Sequence, residues 1–105
     1  MPSHKTYKGR EIISTLKKKG FKEKASDHIR LILTINGKET KIRTKISHSH
    51  KSKQIPTWIL VEIAKQLGFK DPHTNKVDWQ AFYDLLDCPM DYPTYLNYLQ
   101  QKGLI

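Results

Sequence analysis

The chain has 105 residues, of which 37% are hydrophobic and 28% charged, and its formal net charge is +9 at pH 7. It contains no run of about 18 apolar residues, which argues against a transmembrane helix, and the polar, basic residues 1–10 argue against a secretory signal. Cys88 is the single cysteine, so an internal disulfide and a thiolate-based metal site are excluded, and we expect a cytoplasmic protein without metal or small-molecule cofactor.

The first predicted element is an amphipathic helix over residues 9–19. Ile12, Ile13 and Leu16 fall on one helical face, and Gly20 occupies the position where a left-handed residue ends many helices. A short strand is predicted next, over residues 20–24, where it would flank the hairpin that follows.

A β-hairpin is predicted over residues 28–46, because two segments with alternating apolar residues flank the dipeptide Asn36-Gly37. The predicted inward-facing residues of the first strand, residues 28–35, are Ile29, Leu31, Leu33 and Ile35. Those of the second strand, residues 40–46, are Thr40, Ile42, Thr44 and Ile46. This period of two is typical of strands with one buried face.

The predicted turn also fixes a pairing register, in which Ile35 lies opposite Lys38. On the water-facing side, the resulting pairs are His28 with Lys45, Arg30 with Arg43, and Ile32 with Lys41. Like charges directly across a hairpin repel each other, and a bound phosphate backbone would relieve that repulsion. The register therefore predicts a phosphate-binding face, and the alternative is a face that is simply hydrated.

The charge distribution along the chain supports a polyanionic partner. Residues 1–69 contain 16 Lys or Arg against 5 Asp or Glu, whereas residues 70–105 contain 3 against 5. Each cation that neutralises a phosphate releases a condensed counterion, which favours nucleic acids as ligands. The alternative is a solvated surface that only keeps the protein in solution.

Residues 47–54 are predicted to form a polar loop, which either contacts RNA or stays mobile. His48 and His50 are spaced so that both could hold a metal weakly, but neither a carboxylate nor a thiol lies nearby in the sequence to complete a site. We therefore predict no metal site here.

A second helix is predicted over residues 54–69, with a core stripe of Ile59, Leu60, Ile63 and Leu67 and with Gly68 at its end. In the tail, residues 70–105, Asp78 and Asp91 are predicted to cap two short helices, the first of which ends at Cys88-Pro89. Two such helices are too short to be stable alone, so we expect them to pack on the basic segment within a single domain, 1–105. The alternative is a tail that covers the partner-facing or RNA-facing surface.

The order of motifs resembles one protein family. It begins with Gly9-Arg-Glu-Ile-Ile-Ser-Thr-Leu-Lys-Lys-Lys-Gly20-Phe21, continues with a His that opens an alternating strand and a second strand that ends near His48, and finishes with Ile63-Ala-Lys-Gln-Leu-Gly68. This pattern, over about residues 7–69, resembles the HicA family of toxin–antitoxin systems. The resemblance implies an α+β fold similar to the double-stranded RNA-binding domain, α-β-β-β-α, with both helices on one face of a three-stranded antiparallel sheet. The two C-terminal helices predicted above lie outside the resemblance and add to this fold.

The resemblance also implies an activity and a partner. Members of the HicA family are mRNA interferases that an antitoxin, HicB, holds inactive, and their functional histidine stands in a Gly-Ser-His segment at a strand start. His28, in Ser26-Asp27-His28, is the corresponding residue here. We therefore expect a metal-independent endoribonuclease that acts on RNA through His28, since imidazole titrates near neutral pH and can serve in either proton transfer.

The expected RNA-binding residues are the cations of the hairpin face and the polar groups of the loop after it, namely Arg30, Lys41, Arg43, Lys45, His48, His50 and Lys51. The second proton-transfer group stays open between His48 and His50. A non-catalytic module that binds double-stranded RNA is the alternative function, because the Ser26-Asp27-His28 segment differs from the family's Gly-Ser-His.

Overall fold

The computed structural model describes residues 5–87 and 89–105. In chain order, the elements are α1 (Gly9–Lys18), β1 (Phe21–Ala25), β2 (Ile29–Ile35), β3 (Lys38–Ile46), a 3₁₀ turn (His48–His50), α2 (Thr57–Gln66), α3 (Trp79–Leu86) and α4 (Tyr92–Gln101). The strands form one antiparallel sheet in the order β1-β2-β3. This is the expected α+β fold, and its first six elements agree with the arrangement of a double-stranded RNA-binding domain.

The hydrophobic core lies on one face of this sheet. From α1 it takes the predicted Ile12, Ile13 and Leu16. The alternate residues of the strands that point toward the helices, together with the apolar stripe of α2, complete the same layer: Phe21, Ile29, Leu31, Leu33, Ile42, Ile46, Leu60, Ile63 and Leu67. Burying one such aliphatic side chain contributes about 1.5–3 kcal/mol, so this layer is what fixes the sheet against α1 and α2.

The tail helices pack on the helix side of the sheet and enlarge the same core. Tyr95 of α4 is fully buried, and its ring stacks at 6.0 Å from that of Phe21 and at 5.6 Å from that of Phe69. Its hydroxyl donates a hydrogen bond to the Leu67 carbonyl at 2.6 Å. Burial raises the pKa of the Tyr95 hydroxyl far above its usual value, so the group remains a neutral donor. The tail therefore leaves the opposite sheet face uncovered.

Polar contacts fasten both ends of α3 and the start of α4. The Asp78 carboxylate accepts from the Ala81 amide at 3.2 Å, and the Asp91 carboxylate accepts from the Thr94 amide at 2.9 Å, so both predicted N-caps are confirmed. At the other end of α3, Asp87 pairs with Lys5 and accepts from the Tyr7 hydroxyl. Cys88 and residues 1–4 lie outside the described residues.

The hairpin turn is confirmed, but the register that was derived from it is wrong beyond the first two pairs. Asn36 and Gly37 both have positive φ, 53° and 79°, as a two-residue hairpin turn requires, and Ile35 pairs with Lys38. Further along, the pairs are Arg30 with Lys45 and Ile32 with Arg43. The predicted pairs Arg30–Arg43, Ile32–Lys41 and His28–Lys45 are not formed. His28 itself lies in the turn before β2 and not within the strand.

A bulge in β3 causes this difference. Leu33 of β2 lies opposite three residues, 40–42, of β3. The Thr40 hydroxyl donates to the Leu33 carbonyl at 2.9 Å and accepts from the Ile42 amide at 3.2 Å, so it supplies hydrogen bonds that the interrupted ladder lacks. Because the bulge adds two residues, the alternation of faces is preserved, and Arg30, Arg43 and Lys45 still share the water-facing side.

We expect Tyr95→Phe to lower the free energy of unfolding by about 1–3 kcal/mol, because the buried Leu67 carbonyl would lose its donor. Urea denaturation followed by circular dichroism measures this change. Tyr98→Phe is the matched control, because the Tyr98 hydroxyl bonds the exposed Asp78 carboxylate at 3.1 Å and Lys102 Nζ at 3.3 Å, so its removal leaves no buried carbonyl without a donor. An equal effect of the two substitutions would show that the Tyr95 hydrogen bond does not fix the tail.

Candidate nucleic-acid interface

The open face of the sheet carries two cross-strand rows of side chains. One row is Lys22, Ile32 and Arg43, and the other is Lys24, Arg30 and Lys45. The five cations are exposed, whereas Ile32 is only 3% exposed although it lies outside the main core. The aliphatic stems of the neighbouring long side chains therefore cover Ile32, and their charged ends stay in water. We call these six residues the basic face.

Little negative charge balances the basic face. Glu39 lies on the same side near the hairpin turn, and its carboxylate is 2.6 Å from Lys24 Nζ. The hydrogen bond from Lys24 and the neighbouring Lys22 and Arg43 lower the pKa of Glu39. Arg30 and Lys45 have no acidic ion-pair partner in the described part of the chain. These two cations are available to a bound anion.

Two clefts run along the edge of β3, where the sheet meets α2. The first, which we call the sheet cleft, has a volume of about 390 Å³ and is lined by Arg30, Ile32, Arg43, Thr44, Lys45 and Gln66. The second, the histidine cleft, has a volume of about 310 Å³, and its polar and exposed lining residues are His28, Lys45, Ser47, His50, Trp58, Glu62 and Gln66. Lys45 and Gln66 line both clefts, so the two form one groove.

The turn that carries His28 is bonded by a second histidine, His48. His28 is half-exposed at the end of the turn between β1 and β2, in which the Ser26 amide donates to the His28 carbonyl at 3.1 Å. The Ser26 carbonyl is 2.8 Å from His48 Nε2. A carbonyl can only accept, so Nε2 of His48 carries the hydrogen in this contact. His48 thus ties the His28 turn to the 3₁₀ turn.

Backbone hydrogen bonds from the start of α1 hold the 3₁₀ turn and the residues that follow it. The first amides of that helix, which have no partner within the helix, donate to the segment after His50: Arg10 to the Lys51 carbonyl at 2.8 Å and Gly9 to the Lys53 carbonyl at 3.2 Å. A Cβ atom on Gly9 would lie 2.4 Å from the His50 carbonyl oxygen. The segment that was predicted as a polar loop therefore has a defined position, and only glycine at residue 9 allows this close approach.

The structure separates the predicted binding residues into groups. Arg30, Arg43 and Lys45 lie together on the basic face, and Lys45 brings them to His28 and His50 in the groove. Lys41 is exposed in the bulge and lines neither cleft, and Lys51 lies beside α1 in a separate cleft with Arg10 and Lys17. The predicted set is therefore one continuous site, two outlying cations and His48, which lines neither cleft and bonds the Ser26 carbonyl beside it.

Sequence reasoning missed five residues of the interface. Lys22 and Lys24 were not assigned to a face, although they alternate in β1 with the buried Phe21 and the half-buried Glu23. Trp58, Glu62 and Gln66 of α2 are four residues apart and so lie in one row along the helix. The signal in the sequence was Trp58 itself, a large aromatic residue that stands beside the apolar stripe and not within it.

No group of three or more His, Cys, Asp or Glu in the described residues could hold a metal ion. His48 and His50 do not converge, because the His48 ring bonds the Ser26 carbonyl while His50 lines the histidine cleft. Within the same residues, no helix has the length and apolar content needed to cross a membrane.

The fold and the groove define a class: a small basic α+β protein whose bare sheet face is suited to a polyanion. The family model of the HicA toxin of bacterial toxin–antitoxin systems matches residues 9–69, which is more than half of the chain. The chain therefore belongs to the HicA toxin family. This membership makes it the toxin of a toxin–antitoxin pair and implies a cognate antitoxin and an RNA target. No curated protein and no solved structure matches the chain.

We expect Gly9→Ala to destabilise the protein by about 1–3 kcal/mol, because the added Cβ would force α1 away from the His50 carbonyl. Thermal unfolding measures the loss, and amide chemical shifts report whether residues 47–53 move. Ser14→Ala is the control, since Ser14 is exposed on the same helix. Wild-type stability in Gly9→Ala would mean that this contact does not hold the 3₁₀ turn.

Proposed function

We propose that this toxin is a metal-independent endoribonuclease that cleaves mRNA in the histidine cleft, with His28 as a proton-transfer group. The observation that carries the proposal is the shared lining of this cleft, where His28 and His50 lie with Lys45. Lys45 in turn connects the cleft to Arg30 and Arg43 of the basic face. Proton-transfer groups and phosphate-binding groups thus meet in one groove.

The reaction needs three contributions from the protein. A base removes the proton of a ribose 2′-hydroxyl, and the 2′-oxygen attacks the adjacent phosphorus. The bond from phosphorus to the 5′-oxygen breaks, an acid protonates that oxygen, and the products end in a 2′,3′-cyclic phosphate and a 5′-hydroxyl. Between these states, cations must stabilise the extra negative charge on the phosphorane.

The groove contains candidates for each contribution. We assign one proton transfer to His28 and the other to His50, because both imidazoles line the histidine cleft. Lys45 is the cation that lines both clefts, and we assign it to stabilising the negative charge of the phosphorane. Arg30 and Arg43 would hold neighbouring phosphates along the strand.

The remaining predicted residues have indirect roles in this proposal. His48 is a positioning residue, because its hydrogen bond to the Ser26 carbonyl orients the turn that carries His28. Lys41 and Lys51, outside the groove, would add to the long-range attraction of RNA.

We further propose that the antitoxin is a HicB-like protein and that the pair acts in the cytoplasm, where mRNA is available. Such an antitoxin would neutralise the toxin by covering the groove. The second candidate function, a non-catalytic module that binds double-stranded RNA, is favoured by the altered Ser26-Asp27-His28 segment. The two candidate functions can be distinguished by measurement, because the non-catalytic module would bind RNA without cleaving it.

We expect His28→Ala to lower the single-turnover rate of RNA cleavage by about 10²- to 10⁴-fold, the range for loss of a general acid or base. Growth arrest on expression should disappear with the same substitution. Lys76→Ala, an exposed cation of the tail, is the control. Equal cleavage by wild type and His28→Ala would remove His28 from the mechanism, and no cleavage by the wild type would favour the non-catalytic module.

His48 is tested by two substitutions that differ in hydrogen bonding. We expect His48→Ala to slow cleavage at least tenfold, whereas His48→Gln should recover most of the rate, because the Gln amide can still donate to the Ser26 carbonyl. Single-turnover rates over a range of pH measure this. If Gln were as poor as Ala while the shape of the pH profile changed, His48 would itself transfer a proton.

A further inference from the structure

We propose that Trp58 forms the stacking platform for one unpaired base of the RNA, beside the nucleotide at which His28 acts, so that the substrate is single-stranded there. This inference rests on the proposed function, because it takes the histidine cleft as the site of cleavage. It names a substrate class that the cleavage chemistry alone does not specify.

The exposure of Trp58 is the first observation. Its side chain is 70% exposed, whereas the other nine aromatic residues of the chain are buried or half-buried. Those nine belong to the core or pack against it, so none of them is as exposed as Trp58. An exposed indole contributes little to folding, and every base has a π-face on which such a ring can stack.

The position of Trp58 is the second observation. It lines the histidine cleft together with His28, and it starts the row that continues through Glu62 to Gln66. Gln66 follows Trp58 by eight positions in the helix, which corresponds to a rise of about 12 Å along the axis. Gln66 also lines the sheet cleft, where its side-chain oxygen accepts from the Thr44 hydroxyl at 2.5 Å. The row therefore leads from the aromatic ring to the cations.

The charges of the groove set the orientation of a strand within it. Lys45 lies on the β3 side and Glu62 on the α2 side. A phosphate is attracted by the first and repelled by the second, so the backbone follows β3 and the base points to α2. There the Glu62 carboxylate, one helical turn from Trp58, can accept a hydrogen bond from the edge of the stacked base. A base inside an A-form duplex is already stacked and paired, and so only an unpaired base can reach the indole.

A protein partner is the competing occupant, because exposed tryptophans are also frequent at protein interfaces. The polar row next to Trp58 and the continuity of the cleft with the basic face favour a nucleotide. The test therefore measures RNA binding and antitoxin binding separately.

The probe is a short oligoribonucleotide of mixed sequence with 2′-O-methyl groups throughout, which prevents attack by the 2′-oxygen, used single-stranded and as the matching duplex. We expect Trp58→Ala to weaken binding of the single strand by about 5- to 150-fold, the loss of one base stack, and to leave duplex binding unchanged. Trp58→Phe should stay within a few-fold of wild type. Ile105→Ala, which trims another exposed apolar side chain, is the matched control.

If Trp58→Ala bound the single strand as tightly as the wild type, the proposal would be overturned. If the same variant also lost binding to the antitoxin, the indole would be assigned to the protein partner instead. Equal weakening for single strand and duplex would also overturn it, because the effect would not depend on an unpaired base. The probe cannot be cleaved, so the outcome does not depend on whether His28 is catalytic. Thermal unfolding of each variant verifies that the fold is retained.

Discussion

The three-stranded sheet is buried on one face only, and this asymmetry separates the hydrophobic core from the basic face. On the bare face, Lys24, Arg30 and Lys45 lie side by side across three strands and repel one another. Each such contact costs at most about 1 kcal/mol, whereas each aliphatic side chain buried beneath the sheet contributes about 1.5–3 kcal/mol. The fold can therefore hold Arg30 and Lys45 side by side with no acidic partner among the described residues, while Lys24 pairs with Glu39. A bound phosphate backbone would relieve the repulsion that remains.

The tail helices pack only on the buried side of the sheet. Because Tyr95 packs between Phe21 and Phe69, and Tyr92 donates to the Thr34 carbonyl at 2.7 Å, the added helices lie against the core and not against the cations. Buried residues of both segments belong to one hydrophobic cluster. We infer from this that residues 70–105 fold with residues 7–69 as a single domain. Residues 70–105 line neither the sheet cleft nor the histidine cleft, so the acidic tail supplies core volume without adding carboxylates to the groove.

Sequence alone predicted the faces of the hairpin but not its register. Alternation and Asn36-Gly37 are local signals, so strand order, turn and inward residues followed from them. The bulge depends on a hydrogen bond from Thr40 to the Leu33 carbonyl, a contact between strands that no local pattern encodes. The basic face survived the error because two inserted residues restore the alternation, whereas a single one would have turned Arg30 and Arg43 to opposite sides.

The groove could be predicted only in part, because it joins segments that are distant in sequence. Family resemblance indicated His28, but the contact that positions its turn comes from His48, and the indole in the same cleft comes from α2. The segment after His48 is in turn bonded by the start of α1. Each of these segments is anchored by backbone hydrogen bonds or by the core, so the backbone that carries the proposed proton-transfer groups has a defined position before RNA arrives. If the antitoxin covers this groove, as we propose, it would contact Trp58, Lys45 and His28, and so inhibition and substrate binding would compete for the same residues.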